Sequence, residues 1–345
     1  MVKLGIVGYG YWGPNLVRNF NSIPDSEIVY CADFDEKRLQ HIRGLYPQTE
    51  ITKDYKEILN DKGVDAVIVA TPIETHYKIA KDCLDAGKHV LIEKPITASS
   101  TEALDLIKTA EKCKKVLMVD HTFEYSTPVM KVKEIIKNGE LGKIFTIDMI
   151  RVNLGLFQEK VNVAWDLAPH DISMLLYYLE SLPLAVRAVG QSYVRQGIED
   201  DVHINLEFKD KIMANMHVSW LDPMKIRKTT IVGNKKMLVF DDTAENEKIK
   251  IYDKGVTIEK NNIPRQPYYD TYEEWVLTYR AGGVYAPKIE NKEPLNVMAG
   301  HFLDCIKNNK KPLTDGYSGL KVVKVLEAMQ ESLKNDGRKV KIKDD

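Results

Sequence analysis

The sequence predicts an α/β protein: an N-terminal doubly wound parallel sheet, then a larger α+β domain built on a mostly antiparallel sheet. Three observations carry that prediction. Residues 1–121 alternate short apolar runs with amphipathic stretches, the pattern of parallel strands crossed over by helices. A glycine-rich turn, Gly8-Tyr9-Gly10-Tyr11-Trp12-Gly13, separates the first apolar run from a helical pattern. Beyond residue 121 the grammar changes to strand-like segments punctuated by turn signals such as Lys209-Asp210-Lys211 and Gly233-Asn234.

Taken in order, strands are predicted over Lys3–Val7, Glu27–Asp33, Ala66–Ala70, His89–Glu93 and Val116–Val119, with helices over Pro14–Asn21, Thr75–Ala86 and Ser100–Lys114. Ser99 and Glu102 have capping-box spacing at the start of the last of these. A helix over Pro128–Lys137 and a strand over Lys143–Asn153 follow, and a further helix is expected to begin near Pro169, the favoured first helical position, with Ala168 as its N-cap. Strand-like segments run from Leu184 to Glu259. Within Met213–Trp220, Ala214, Met216, Val218 and Trp220 point one way and Asn215, His217 and Ser219 the other, as in a sheet with one face covered by helices. Asp242–Lys254 reads as an exposed charged hairpin. The last hundred residues read as mostly helical, Ser318–Leu333 most strongly. The expected division is 1–121 and 122–345.

Composition excludes much. The 345 residues suit two domains and a sizeable core. With 49 Lys plus Arg against 50 Asp plus Glu, the net charge is −1, and residues 1–121 and the remainder are each nearly balanced. No field draws in nucleic acid or an anionic membrane. The four cysteines, Cys31, Cys83, Cys113 and Cys305, are scattered and read as reduced thiols of a cytoplasmic protein. The N-terminal apolar run is too short for a signal-peptide core, and the longest apolar run, Met174–Leu179, is far below a membrane span.

The G-x-G-x-x-G of Gly8, Gly10 and Gly13 has the strand–turn–helix setting that pyrophosphate binding requires: a tight turn, close backbone approach, and free N–H groups at a helix N-terminus. Asp33, 20 residues after Gly13 at the end of the second strand, is placed to accept hydrogen bonds from the adenosine ribose. Asp33 is followed by Phe34 and Asp35, with no arginine beside it for a 2′-phosphate, so NAD is favoured over NADP, although Lys37 and Arg38 lie close in sequence. Tyr11 and Trp12 occupy the variable motif positions, either over the cofactor or packed beneath the loop.

Ala70-Thr71-Pro72 with His76, and Glu93-Lys94-Pro95, end the next two strands; Trp165-Asp166-Leu167-Ala168-Pro169-His170-Asp171 comes later. With the glycine motif, these segments resemble the Gfo/Idh/MocA family of NAD(P)-dependent oxidoreductases. The resemblance implies an N-terminal Rossmann domain plus a C-terminal α+β domain with a large open, mostly antiparallel sheet. The sheet's exposed face, expected to be apolar, would join copies into a homodimer or homotetramer. It also implies that Thr71, Pro72 and His76 line the cofactor, that Glu93 approaches the nicotinamide ribose, that Lys94 reaches cofactor and substrate, and that the Lys94–Pro95 bond is cis.

Oxidising a secondary alcohol requires a base for the hydroxyl proton and a fixed geometry for the hydride. The family's second motif pairs an aspartate with a histidine four residues on, a spacing Asp166 and His170 keep. His170 is the expected general base, Lys94 its electrostatic partner, and Asp166 an orienting group. A first-turn position would keep His170 neutral, and Asp171 reads as a carboxylate favoured at a helix N-terminus. His121, after the last strand of the first half, is a candidate for cofactor or substrate contact. Arg151, Asn153 and Trp165 suit a polyhydroxylated substrate carrying an anionic group. His89, His203, His217 and His301 default to structural roles, and no ligand set has metal spacing. The function expected is NAD-dependent oxidation of a sugar hydroxyl, in a nucleotide sugar such as a UDP-N-acetylhexosamine at its 3-position. The alternatives are a free-sugar or inositol dehydrogenase and a catalytically silent NAD-binding regulator.

Overall fold

The computed structural model describes residues 1–256 and 279–343. The chain forms two compact units, Met1–Ser126 with Asn291–Glu327, and Thr127–Glu290 with Ala328–Asp345. Residues 291–327, assigned from sequence to the second domain, therefore belong to the first.

In the first unit the strands are β1 (Val2–Val7), β2 (Ser26–Ala32), β3 (Glu50–Thr52), β4 (Ala66–Val69), β5 (His89–Ile92) and β6 (Leu117–Val119). They form one sheet in the order β3-β2-β1-β4-β5-β6, with every pair parallel. Helices α1 (Gly13–Asn21), α2 (Glu36–Leu45), α3 (Lys56–Asn60), α4 (Ile73–Asp85) and α5 (Ser100–Cys113) make the crossovers. All four residues of β4 are buried, as expected of a strand covered on both faces. The predicted strands and helices appear within one or two residues of their expected ends, and Ser99 caps α5 by accepting from the Glu102 N–H at 3.3 Å. The sequence reading missed β3, three residues long with Thr52 alone buried. The strand order reverses between β1 and β4, and ligands of such sheets bind outside the carboxyl ends of the strands at that point.

A helix far along the chain completes this core: α8 (Pro294–Asn308) buries Leu295, Met298, Phe302 and Leu303 in the cluster that holds β1 and α1. Phe20 and Phe302 meet edge to face at 6.2 Å.

The second unit carries α6 (Thr127–Lys137), β7 (Ile144–Leu154), α7 (Val163–Leu179), β8 (Ala185–Gln191), β9 (Asp201–Glu207), β10 (Met213–Ser219), β11 (Leu221–Gly233), β12 (Met237–Asp241), β13 (Ile249–Val256) and β14 (Tyr279–Tyr285). The final helix α9 (Gly316–Lys334), whose residues up to Glu327 belong to the first unit, precedes a short β15 (Val340–Lys341). The nine-stranded sheet has the order β14-β13-β12-β11-β7-β10-β9-β8-β15, antiparallel throughout except for β7–β10. Ala214, Met216, Val218 and Trp220 are buried, as their alternation predicts.

Several expectations need correction. The opposite sheet face is mixed rather than apolar: Asn205 donates to Asn215 (2.8 Å) and Asn215 to Asp148 (2.7 Å), forming a polar row among Ile150, Val189 and Met213. The charged stretch Asp242–Lys254 contains the turn between β12 and β13, but Ile249 and Ile251 are fully buried, so β13 is part of the sheet. With β13 and β14 inside it, the last hundred residues are less helical than expected. Residues 257–259 of the expected strand-rich stretch lie outside the described residues. Among the described residues, no helix is long and apolar enough to cross a membrane, and all four cysteines are free thiols.

Candidate active site

In the first unit the singled-out residues stand at the carboxyl ends of successive strands: Gly8 after β1, Asp33 after β2, Thr71 just beyond β4, Glu93 and Lys94 after β5, and His121 just beyond β6. The glycines stand where a side chain has little or no room, or where the backbone faces open space. Gly8 has φ +96°, and a Cβ there would lie 2.3 Å from the Ala70 carbonyl oxygen. A Cβ on Gly13 would come within 2.7 Å of the Gly8 oxygen. At Gly10 the nearest atom is Arg38 Nη1 at 3.6 Å, so the backbone faces open space where a pyrophosphate would approach. Helix α1 has no side-chain cap and no acidic residue in its first turn, which leaves its N–H groups and dipole to an anion.

Asp33 is anchored at both oxygens: Oδ2 accepts from the Tyr9 N–H (2.7 Å) and Oδ1 from the Asp35 N–H (2.8 Å). The expectation that no arginine stands beside it is corrected. Asp35 caps α2 by accepting from the Lys37 N–H, and the first turn swings Arg38 back to 3.5 Å from Asp33 and 3.6 Å from Asp35. Of the variable motif residues, Tyr11 is 85% exposed, whereas Trp12 packs against the core and its indole N–H donates to Asp120 at 3.1 Å.

His76 is the second correction. Its ring is buried, with Nδ1 2.9 Å from the Pro95 carbonyl oxygen and Nε2 2.7 Å from that of Thr71. It ties together the loops after β4 and β5 rather than lining the cofactor. Burial pushes its pKa down, against the two carbonyls that favour imidazolium. Pro72 immediately precedes α4, and the Lys94–Pro95 bond is cis.

Glu93, Lys94, Asp120 and His121 form one cluster. His121 is 1% exposed, and neither ring nitrogen has a hydrogen-bond partner in the protein. Burial first, and then the Lys94 charge, push its pKa down to about 3, so it is neutral at physiological pH. Orphaned buried nitrogens are costly, and at the end of β6 they fit contact with a ligand. Sequence reading missed Asp120, although its place at a strand's carboxyl end was a signal.

Burial, then the charge of Asp120 and a hydrogen bond to it, raise the Glu93 pKa well above the usual carboxylate range, with Lys94 opposing. The folded state therefore keeps a proton that the unfolded chain has lost, so this group's contribution to stability declines as pH rises through the folded pKa. Glu93→Gln removes that dependence. The variant is expected to melt a few degrees above the parent at about pH 8, with the gap closing toward about pH 5. Melting curves at both pH values check this, and a gap independent of pH contradicts it.

In the second unit, α7 begins earlier than the sequence suggested. Asn162 is the N-cap, accepting from the Trp165 N–H at 3.1 Å, and Pro169 lies inside the helix. Asparagine is a strong cap, and it outweighed the proline signal. Asp166 is consequently in the first turn, and His170 lies beyond the reach of the helix N-terminal field, which fades within one turn. The two residues are four apart on a continuous helix, hence on one face. Asp166 accepts from the indole N–H of buried Trp220 at 3.1 Å, a partner that no sequence spacing announced.

The substrate-binding candidates fare differently. Arg151 and Asp171 are 3% and 4% exposed, and Arg151 Nε and Nη2 both donate to Asp171 Oδ1, at 3.0 and 2.7 Å. Arg151 is thus committed to a buried ion pair, and Asp171 is its partner rather than a helix-end carboxylate. The Trp165 indole donates to Gln330 at 3.1 Å. Asn153 is half-buried near the end of β7.

Residues 2–121 match the oxidoreductase family with an NAD-binding Rossmann fold, and residues 129–239 match the GFO/IDH/MocA C-terminal domain. The chain belongs to the Gfo/Idh/MocA family. It is an NAD-binding oxidoreductase. It is 24% identical to the uncharacterized oxidoreductase YrbE of Bacillus subtilis, over 96% of this chain and 94% of that protein. It is 28% identical to scyllo-inositol 2-dehydrogenase (NADP(+)) IolW of B. subtilis, over 60% of each chain. The solved structure of UDP-N-acetylglucosamine 3-dehydrogenase GnnA from Acidithiobacillus ferrooxidans shares the fold at TM-score 0.79 and 22% identity, covering 96% of this chain and 97% of that one.

Proposed function

We propose that this Gfo/Idh/MocA protein oxidises a secondary ring hydroxyl of a nucleotide sugar, a UDP-N-acetylhexosamine at its 3-position. The observation that carries the dehydrogenase reading is Asp166 and His170 on one face of α7, with Trp220 fixing the Asp166 carboxylate. The nucleotide-sugar choice is supported by the segments Gly10–Leu16 and Ala168–Asp171, which resemble members acting on such substrates, and by the likeness to GnnA.

NAD, when bound, accepts the hydride from the carbinol carbon. Gly8, Gly10, Gly13 and the N-terminus of α1 would hold its pyrophosphate, and Asp33 the adenosine ribose; Thr71, Pro72, Glu93 and His121 would complete its surroundings. His170 takes the hydroxyl proton as the carbonyl forms. Asp166 orients the reacting hydroxyl, and the Lys94 cation stabilises negative charge developing on its oxygen. The oligomer is a homodimer or homotetramer joined through the open sheet, and the free thiols fit a reducing, cytoplasmic setting.

The likeness to IolW supports a second reading, an inositol dehydrogenase. The Lys94, Asp166 and His170 set argues against a silent NAD-binding regulator. A panel of UDP-sugars, dTDP-sugars, free hexoses and inositols, followed by NADH absorbance, is expected to show turnover of the UDP-N-acetylhexosamines. Turnover confined to free polyols would sink the nucleotide-sugar reading.

A further inference from the structure

The open face of the nine-stranded sheet carries a cluster outside this chemistry. Asp201 and His203 alternate onto one face of β9, and His217 stands opposite His203 in the antiparallel register of β9 and β10. One ligand atom from each residue lies within 4.8 Å of the others. His217 Nε2 is 3.0 Å from Asp201 Oδ2, and His203 Nε2 is 3.5 Å from Asp201 Oδ1. The two imidazoles stack at 4.1 Å with an interplanar angle of 9°. Both rings thus present Nε2 toward one carboxylate.

We propose that Asp201, His203 and His217 form a binding site for a divalent transition-metal ion of the zinc class. Zinc bonds of about 2.0–2.2 Å to imidazole nitrogen and carboxylate oxygen place tetrahedral ligand atoms about 3.3–3.5 Å apart. The 3.0 and 3.5 Å distances end on the two different oxygens of Asp201, and the single ligand atoms lie within 4.8 Å of one another, so rotation of the exposed His203 ring has to draw its Nε2 in to complete the triangle. Two imidazoles and one carboxylate suit zinc rather than calcium or magnesium, which prefer all-oxygen shells. In the single chain the cluster borders a recess of about 480 Å³, which Asp148, Asn205 and Asn215 also line, so the fourth position opens onto the face assigned above to the contact between copies, where water or that contact fills it. Sequence spacing hid the site because its third ligand comes from a neighbouring strand. Among the described residues, no other group of three histidine, cysteine or acidic side chains converges in this way.

The site is independent of the proposed reaction. Chelator-stripped protein titrated calorimetrically with zinc chloride is expected to bind one ion per chain. His203→Asn and His217→Asn should each weaken binding by at least about tenfold, as loss of even an outer-shell partner of a metal does, and the double variant should abolish it. Cobalt(II) in place of zinc should give the visible absorption of a tetrahedral site in the parent and lose it in the double variant, with dehydrogenase turnover unchanged. Absence of one-to-one binding up to roughly 1 mM zinc, or binding unaltered in the double variant, overturns the proposal.

Discussion

Replacing His170 by alanine is expected to lower kcat/KM by about 10²–10⁴-fold, the usual consequence of removing a general base. The loss should fall mainly on kcat, because the imidazole acts on the proton that leaves in the transition state rather than on ground-state binding. NAD binding, measured by calorimetry, should be unchanged, since the residues assigned to the cofactor lie in the first unit. The side chain projects from the middle of α7, whose cap at Asn162 and apolar contacts at Ile172, Met174 and Leu175 the substitution leaves intact. Activity within a few-fold of the parent would remove His170 from the chemistry.

The second large effect concerns stability. Arg151→Met leaves the Asp171 carboxylate buried without its countercharge and is expected to cost about 3–5 kcal/mol. Attraction across the pair merely offsets the cost of drying two charges, so the penalty belongs to the orphaned carboxylate and not to a missing bond. The double variant Arg151→Met with Asp171→Leu should therefore recover most of the loss. Urea unfolding of the parent and both variants measures the difference. A single variant within about 1 kcal/mol of the parent, the scale of a surface pair, would contradict the buried-pair account.

These two residues mark where the sequence was legible and where it was not. Short-range patterns read well: the glycine motif, Asp33 at its fixed distance, and the Ser99 cap on α5 each depend on a few neighbouring residues. The start of α7 was misplaced because two local signals competed, and the asparagine cap prevailed over Pro169. Long-range partners left no trace. The Asp171 partner of Arg151, the indole of Trp220 on Asp166, and the docking of α8 onto α1 each join segments that only the folded chain brings together. Arg38 shows the intermediate case: three residues beyond Asp35, it needed only the first turn of α2 to reach Asp33.

The central claim, that this chain moves a hydride from a sugar carbon to NAD, reduces to the fate of one hydrogen. In the panel assay, UDP-N-acetylhexosamine deuterated at carbon 3 is incubated with the protein and NAD, and the reduced cofactor is analysed by mass spectrometry. The account predicts reduced cofactor one mass unit heavier than NADH, formed by the parent and lost with His170→Ala. Unlabelled NADH, or none from any nucleotide sugar, would contradict it.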